Sequence, residues 1–160
     1  MHFAAEPRIR RLLVIIRKYC AADRDAIIDI WHEGWHAIDP KLVHPHSKIE
    51  WRDRWVSRIV PQHEIVVAES DNEILGFITL NPESSELSQI FTKLSQQGHG
   101  VGSALINWAK NRCRKGICLF TLEINYRSRE FYEKHGFRET GSSINAISGL
   151  PTVRYEWRGS

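Results

Sequence analysis

The sequence predicts a single α/β domain in which a mostly antiparallel central sheet is flanked by helices. Three observations support this. Apolar strand-like runs and segments of helical period follow one another as strand, two helices, three strands, helix, strand, helix, two strands. Ile65–Ala68 and Ile74–Leu80 flank Asp71-Asn72, a pairing that reads as a hairpin. A glycine-rich turn, Gln97-Gly-His-Gly-Val-Gly102, then leads from a strand-like segment straight into an amphipathic helix.

The elements follow in order. Arg8, Arg10 and Arg11 precede Leu12–Ile16, a run too short for a secretory core or a membrane span and closed by Arg17-Lys18. It reads as a first buried strand, with 1–11 as a leader and 12–158 as the folded core of one domain over 1–160. Asp23 is placed to cap a helix burying Ala26, Ile27, Ile30 and Trp31. Residues 36–46 form a polar connection with Pro40 and Pro45. Ser47 and Glu50 make a capping box for a second helix carrying Trp51, Trp55 and Ile59, which Pro61 ends. After the hairpin, Asn81-Pro82 turns the chain into the strand Glu86–Thr92. A helix over 100–115 places Val101, Ala104, Leu105 and Trp108 on one face, with Gly116 expected as its left-handed cap. Ile117–Ile124 is a strand, Ser128–His135 a short helix stopped by Gly136, and Phe137–Thr140 and Thr152–Trp157 are the last strands.

At 160 residues, with 26% charged and 42% hydrophobic residues, the chain is long enough for a real core and has a soluble globular profile. A net charge of +3 with scattered arginines argues against nucleic acid as a partner, and no segment argues for a membrane. Cys20, Cys113 and Cys118 lack metal-ligand spacing and cannot all pair, so reduced thiols in a cytoplasmic protein are expected.

The turn at 97–102 carries the functional signal. It leaves backbone N–H groups unpaired at the positive end of a helix dipole, a site suited to a phosphate-bearing ligand, and its glycines allow close approach. About thirty residues on come Asn125, Phe131-Tyr132 and Gly136-Phe137. Gln97, Gly100 and Gly102 match Gln/Arg-x-x-Gly-x-Gly/Ala. The later residues match Asn-x-x-Ala-x-x-Phe-Tyr-x-x-x-Gly-Phe, with Ser128 where alanine is usual. In this order and spacing the two motifs resemble the GNAT superfamily of acyl-CoA-dependent N-acyltransferases, over about residues 64–137.

The resemblance implies a GNAT-like fold with strands four and five splayed apart. It implies acetyl-CoA as acyl donor, no metal, and an amine of a small molecule or protein as acceptor, in a monomer or homodimer. Gln97, Gly98, His99, Gly100, Val101, Gly102 and Ser103 would hold the pyrophosphate, with His99 giving only its N–H. Backbone groups of Ile90, Phe91 and Thr92 would take the pantetheine and the thioester carbonyl, and Asn125 would contact the pantetheine or shape its turn. Tyr132 would protonate the departing thiolate. Glu86, at the start of strand four, is the candidate base, expected on the same strand face as Ile90 by period two; a water chain is the alternative. Trp35 and His36, with His44 and His46, are candidates for the acceptor pocket. A noncatalytic acyl-CoA-binding module is the competing class.

His32-Glu-Gly-Trp-His36 also matches H-E-x-x-H, the zinc metallopeptidase pattern. Gly34 weakens a helix there, no H-x-x-G-x-x-H extension follows, and a third ligand would have to come from a distant residue such as Glu50, Glu64 or Glu69.

Overall fold

The computed structural model describes residues 13–159. The leader over 1–11 and Leu12 lie outside the described residues. Seven strands form one sheet: β1 (Ile15–Lys18), β2 (Glu64–Ser70), β3 (Glu73–Asn81), β4 (Glu86–Thr92), β5 (Gly116–Leu122), β6 (Arg138–Ile144) and β7 (Pro151–Arg158). Their order across the sheet is β1-β2-β3-β4-β5-β7-β6, and only β4 and β5 run parallel. The first helix, α1, spans Arg24–His36. The second, α2, begins at Lys48–Arg54 and continues through a wider turn, Trp55–Ile59, to Val60–Gln62. Two more, α3 (Val101–Arg112) and α4 (Tyr126–Lys134), follow. Among the described residues no helix is long and apolar enough to cross a membrane.

The order of elements is the one expected, and so are several local signals. Asp71 and Asn72 both take positive φ (49° and 62°), the backbone a two-residue hairpin needs. Glu50 N–H donates to the Ser47 hydroxyl at 3.2 Å while Ser47 N–H reaches back to Glu50, a capping box. Gly136 takes φ 85° after α4.

Two caps differ. Asp23 does not cap α1; its carboxylate accepts from Cys20 N–H at 2.9 Å and from both terminal nitrogens of Arg17 at 2.8 Å, tying β1 to the helix entry. Gly116 is not a left-handed cap. α3 stops at Arg112, and Gly116 opens β5 where a Cβ would lie 2.9 Å from the Trp157 carbonyl oxygen, so close strand pairing selects the glycine.

Two apolar layers cover opposite faces of the sheet. Val101, Leu105, Ile106 and Ala109 of α3 pack with Ile78, Leu80, Leu87 and Leu119. On the other face Ile27, Trp31 and Trp35 of α1 pack with Trp51, Trp55, Val67 and Phe77. The Asp23 cap aside, the expected face of α1 holds, with Ile28 buried as well and Ala26 only partly.

Gly34 belongs to this second layer. A Cβ there would sit 2.6 Å from Cδ1 of Phe91, so the residue that weakens the helix is what lets α1 close onto β4. Alanine favours a helix by about 1 kcal/mol over glycine, but overpacking typically costs about 1–3 kcal/mol. Gly34→Ala is therefore expected to lower the melting temperature by a few degrees, read by thermal denaturation. A raised melting temperature would show that the Phe91 ring simply moves aside.

Candidate functional site

The sheet opens between β4 and β5. They pair only at Glu86 opposite Cys118 and Leu87 opposite Leu119, and then part. β4 keeps β3 on its other side as far as Thr92. Lys93 N–H bonds back to the Leu75 carbonyl at 2.7 Å, so alternation along an antiparallel strand turns the backbone groups of Ile90 and Thr92 toward the gap. The gap is part of a cleft of about 1010 Å³. It reaches from the start of α3 on one face of the sheet to Trp35 and Trp51 on the other.

At the start of α3 the backbone forms a cradle. Gly98 and Gly100 take φ 80° and 87°, conformations that disfavour a side chain. The first helical bond is Ala104 N–H to the Gly100 carbonyl at 3.1 Å, so the amides of Val101, Gly102 and Ser103 precede the helical ladder and are left to a ligand. A Cβ on Gly102 would crowd the Phe131 ring at 3.2 Å, which keeps this wall bare.

Not every expected residue contributes. The amides of Gln97 and His99 are engaged by the carbonyls of Leu94 (3.4 Å) and Gln96 (3.3 Å), and His99 does not line the cleft. Val101 turns its side chain into the core, so only its N–H is available. The Ser103 hydroxyl lies 3.0 Å from Nε2 of His135. His135 Nδ1–H donates to the Phe131 carbonyl at 2.8 Å, so Nε2 accepts and Ser103 donates to it, leaving the serine's backbone N–H for an anion.

Asn125 is the N-cap of α4; its side-chain oxygen accepts from Ser128 N–H at 3.2 Å, and its amide nitrogen stays available at the cleft wall. Tyr132 lies on the same helix, 6% exposed, with its ring among Phe131, Phe137 and Tyr155. Burial pushes its phenol well above the usual range, so it stays neutral and able to donate at physiological pH.

Glu86 lines the cleft beside the last β4–β5 pair. It does not share a face with Ile90. The β3–β4 register slips between Thr79 opposite Gln89 and Leu80 opposite Leu87, which leaves Ser88 as an extra residue and reverses the alternation. Leu87 and Ile90 therefore face α3, while Glu86 lies on the face of Phe77 and Phe91, toward α1.

The bulge creates an arrangement that no sequence signal indicated. Ser88 lines the cleft, and its hydroxyl is 2.8 Å from Nε2 of His63. His63 Nδ1–H donates to the Ile59 carbonyl at 2.8 Å, which makes Nε2 the acceptor and orients the serine hydroxyl toward it. His63 also borders a surface depression with Asn81 and Glu83.

The far wall is aromatic. Trp31, Trp35, Trp51 and His44 line it, with the Trp31 and Trp51 rings 4.6 Å apart and those of Trp35 and His44 4.8 Å apart. His44 Nδ1 accepts from Trp51 Nε1–H at 3.1 Å and from His46 N–H at 3.0 Å. Burial, with His46 and His36 nearby, lowers its pKa, so the ring is held neutral with its proton on Nε2. Of the acceptor candidates, Trp35 and His44 reach the cleft, whereas His36 and His46 do not. His36 Nδ1–H donates to the His32 carbonyl at 2.7 Å, and His46 pairs with Glu50 at 2.6 Å. Although the His32 and His36 rings lie 4.2 Å apart, no set of three metal-ligating side chains gathers among the described residues, so the H-E-x-x-H pattern builds no zinc site there.

A family model described as an acetyltransferase (GNAT) domain matches residues 40–158. The chain belongs to the GNAT acetyltransferase family. Among GNAT relatives, an uncharacterised N-acetyltransferase of Methanocaldococcus jannaschii is 25% identical over 137 residues, covering 78% of this chain and 60% of that protein. The chain thus spans under two thirds of that relative. The peptidyl-lysine N-acetyltransferase YjaB of Salmonella typhimurium is 27% identical over 142 residues, covering 88% and 94%. The fold matches the solution structure of apo YjaB from Escherichia coli with a TM-score of 0.76 at 22% identity, covering 93% of this chain and all of that one. It also matches the PaiA N-acetyltransferase of Thermoplasma acidophilum, solved in complex with coenzyme A, with a TM-score of 0.74 at 19% identity, covering 92% and 99%.

Proposed function

We propose that the protein moves an acetyl group from acetyl-CoA to a primary amine by direct attack within a ternary complex. The observation that carries this reading is the single cleft, with an anion cradle on one face of the sheet, an unpaired strand edge in the middle and an aromatic pocket on the other face. The free amides at Gly102 and Ser103 suit a pyrophosphate, and the Ile90 and Thr92 backbone groups suit an amide-bearing arm and a thioester carbonyl. Bound there, acetyl-CoA would supply the activated acyl group.

The chain's own residues handle the protons. Tyr132 donates to the departing sulfur. Glu86, beside the pocket, takes the amine proton directly or through water. Ser88 offers a second exit: its hydroxyl passes a proton to His63 Nε2 while accepting one from the amine side, which leaves a neutral serine and a protonated histidine. The three free cysteines fit a reducing compartment such as the cytoplasm.

The test is thiol release from acetyl-CoA across a panel of amines, with mass detection of the acetylated product. Amine-dependent release is expected; coenzyme binding without it would favour a noncatalytic module. His63→Gln and Ser88→Ala are each expected to lower kcat by about tenfold or more with the KM for acetyl-CoA unchanged, since loss of a proton-transfer group typically removes about 10²–10⁴-fold. Unchanged kcat in both variants would assign the proton to Glu86 and water alone.

A further inference from the structure

Arg54 and Glu86, of opposite charge, line the cleft half-buried and make no ion pair among the described residues, whereas Arg127, the other charged residue lining it, is exposed to solvent. Arg54, on α2, lines the cleft with Trp31, Trp35 and Trp51, and it makes no salt bridge or hydrogen bond among the described residues. It is only partly exposed, and Arg58, one turn further along, adds a like charge; both effects lower its pKa from the usual value. Arginine stays charged at any physiological pH, so Arg54 is a partly desolvated guanidinium with no carboxylate paired to it among the described residues. Arg58 and Arg127 also lack an ion pair among the described residues but are exposed to water, whereas the partly buried Arg17 holds Asp23 and Glu69, and the partly buried Arg129 holds Glu139. Glu86 is the one carboxylate among the described residues lining the cleft, and it too lacks an ion-pair partner. Arg54 and Glu86 are not paired with each other.

We propose that Arg54 is an anion subsite for the acceptor, and that the acceptor is a small zwitterion bearing a carboxylate as well as the amine. This rests on the transfer reaction proposed above. Glu86 draws the ammonium toward β4, and Arg54 takes the carboxylate through the paired N–H groups that match its geometry. The Trp31, Trp35 and Trp51 rings, which line the same cleft, offer an apolar wall for a hydrophobic or aromatic side chain. A polyamine would bring a second cation against Arg54, and a lysine within a peptide carries no carboxylate of its own to satisfy it. The physical preference is for an amino-acid-like molecule.

Matched acceptors that differ only in the carboxylate test this: phenylalanine against phenethylamine, and a series of straight-chain amino acids with increasing amine–carboxylate separation, with spermidine and a lysine peptide alongside. The expected result is that kcat/KM favours the carboxylate member by roughly 10- to 100-fold, the scale of a charge-assisted hydrogen-bonded pair. Arg54→Gln should erase that preference through KM, leaving phenethylamine kinetics and the melting temperature unchanged, and Arg54→Lys should restore part of it. Equal use of both members, or a preference that survives Arg54→Gln, overturns the anion subsite while leaving acetyl transfer standing. If no amine releases thiol from acetyl-CoA, the transfer reaction fails instead. The subsite is then read by calorimetry of the same amino acids on the CoA-bound protein: binding lost in Arg54→Gln supports it, and absence of binding to the parent overturns it.

Discussion

Tyr132→Phe is expected to lower kcat by about 10²-fold or more, the scale of losing a general acid, while coenzyme affinity and melting temperature change little. The substitution removes one oxygen and keeps a ring packed against Phe131, Phe137 and Tyr155. A thiol is already a fair leaving group, with a reference pKa near ~8.5, which sets the loss toward the lower end of that scale. The pH profile adds a second readout. An unperturbed phenol ionises near ~10, so a donor tyrosine in water would impose an alkaline loss of activity there. Burial favours the neutral form of Tyr132 and raises its pKa, so the donating form persists beyond that point. The parent is therefore expected to show no Tyr132-dependent decline up to pH 10. A decline centred near 10 that disappears in Tyr132→Phe would show that the phenol is wet in the working enzyme. Unchanged kcat in the variant would make Tyr132 a packing residue.

Gly102→Trp is expected to abolish coenzyme binding while the protein still folds. Its side chain would start at a Cβ already 3.2 Å from the Phe131 ring and occupy the space in front of the free amides. A ligand at 100 times its Kd stabilises the native state by about 2.7 kcal/mol, which for a domain of this size is a rise of roughly 5–11 °C in melting temperature. The parent should show that rise with CoA and the variant none. Gly100→Val tests the same cradle through the backbone, since φ 87° is costly for a β-branched residue. A variant that binds CoA as the parent does would remove the phosphate role of this turn.

Much of the fold was legible because its signals are local. The capping box at Ser47 and Glu50, the positive-φ pair Asp71-Asn72 and the left-handed Gly136 each depend on a few consecutive residues whose backbone needs narrow the choice of side chain. The two caps that failed show the limit of that logic. Asp23 has the right chemistry for a cap, but Arg17 and the Cys20 amide compete for its carboxylate from the preceding strand. Gly116 has the right position for a helix stop, but its smallness serves the neighbouring Trp157 carbonyl across the sheet. In both cases a partner distant in space outweighed the local preference.

The site divides in the same way. By itself the sequence determined that a glycine turn meets a helix at 97–102 and that Asn125, Phe131 and Tyr132 lie on the element that follows β5, since contiguous residues dictate turns, caps and helical periods. Only the tertiary structure decided which of those groups face the cleft. It spent the His99 amide on Gln96, turned Val101 inward and left His36 outside the cleft, with its Nδ1 bonded to the His32 carbonyl. It also placed one extra residue, Ser88, in β4, which moved Glu86 to the sheet face toward α1 and brought Ser88 against His63, twenty-five positions away. A strand's alternation is readable from its residues, but a bulge is set by its pairing with the neighbouring strand. Contacts such as Ser88–His63, and the lack of an ion-pair partner for Arg54 among the described residues, exist only once separate elements pack together.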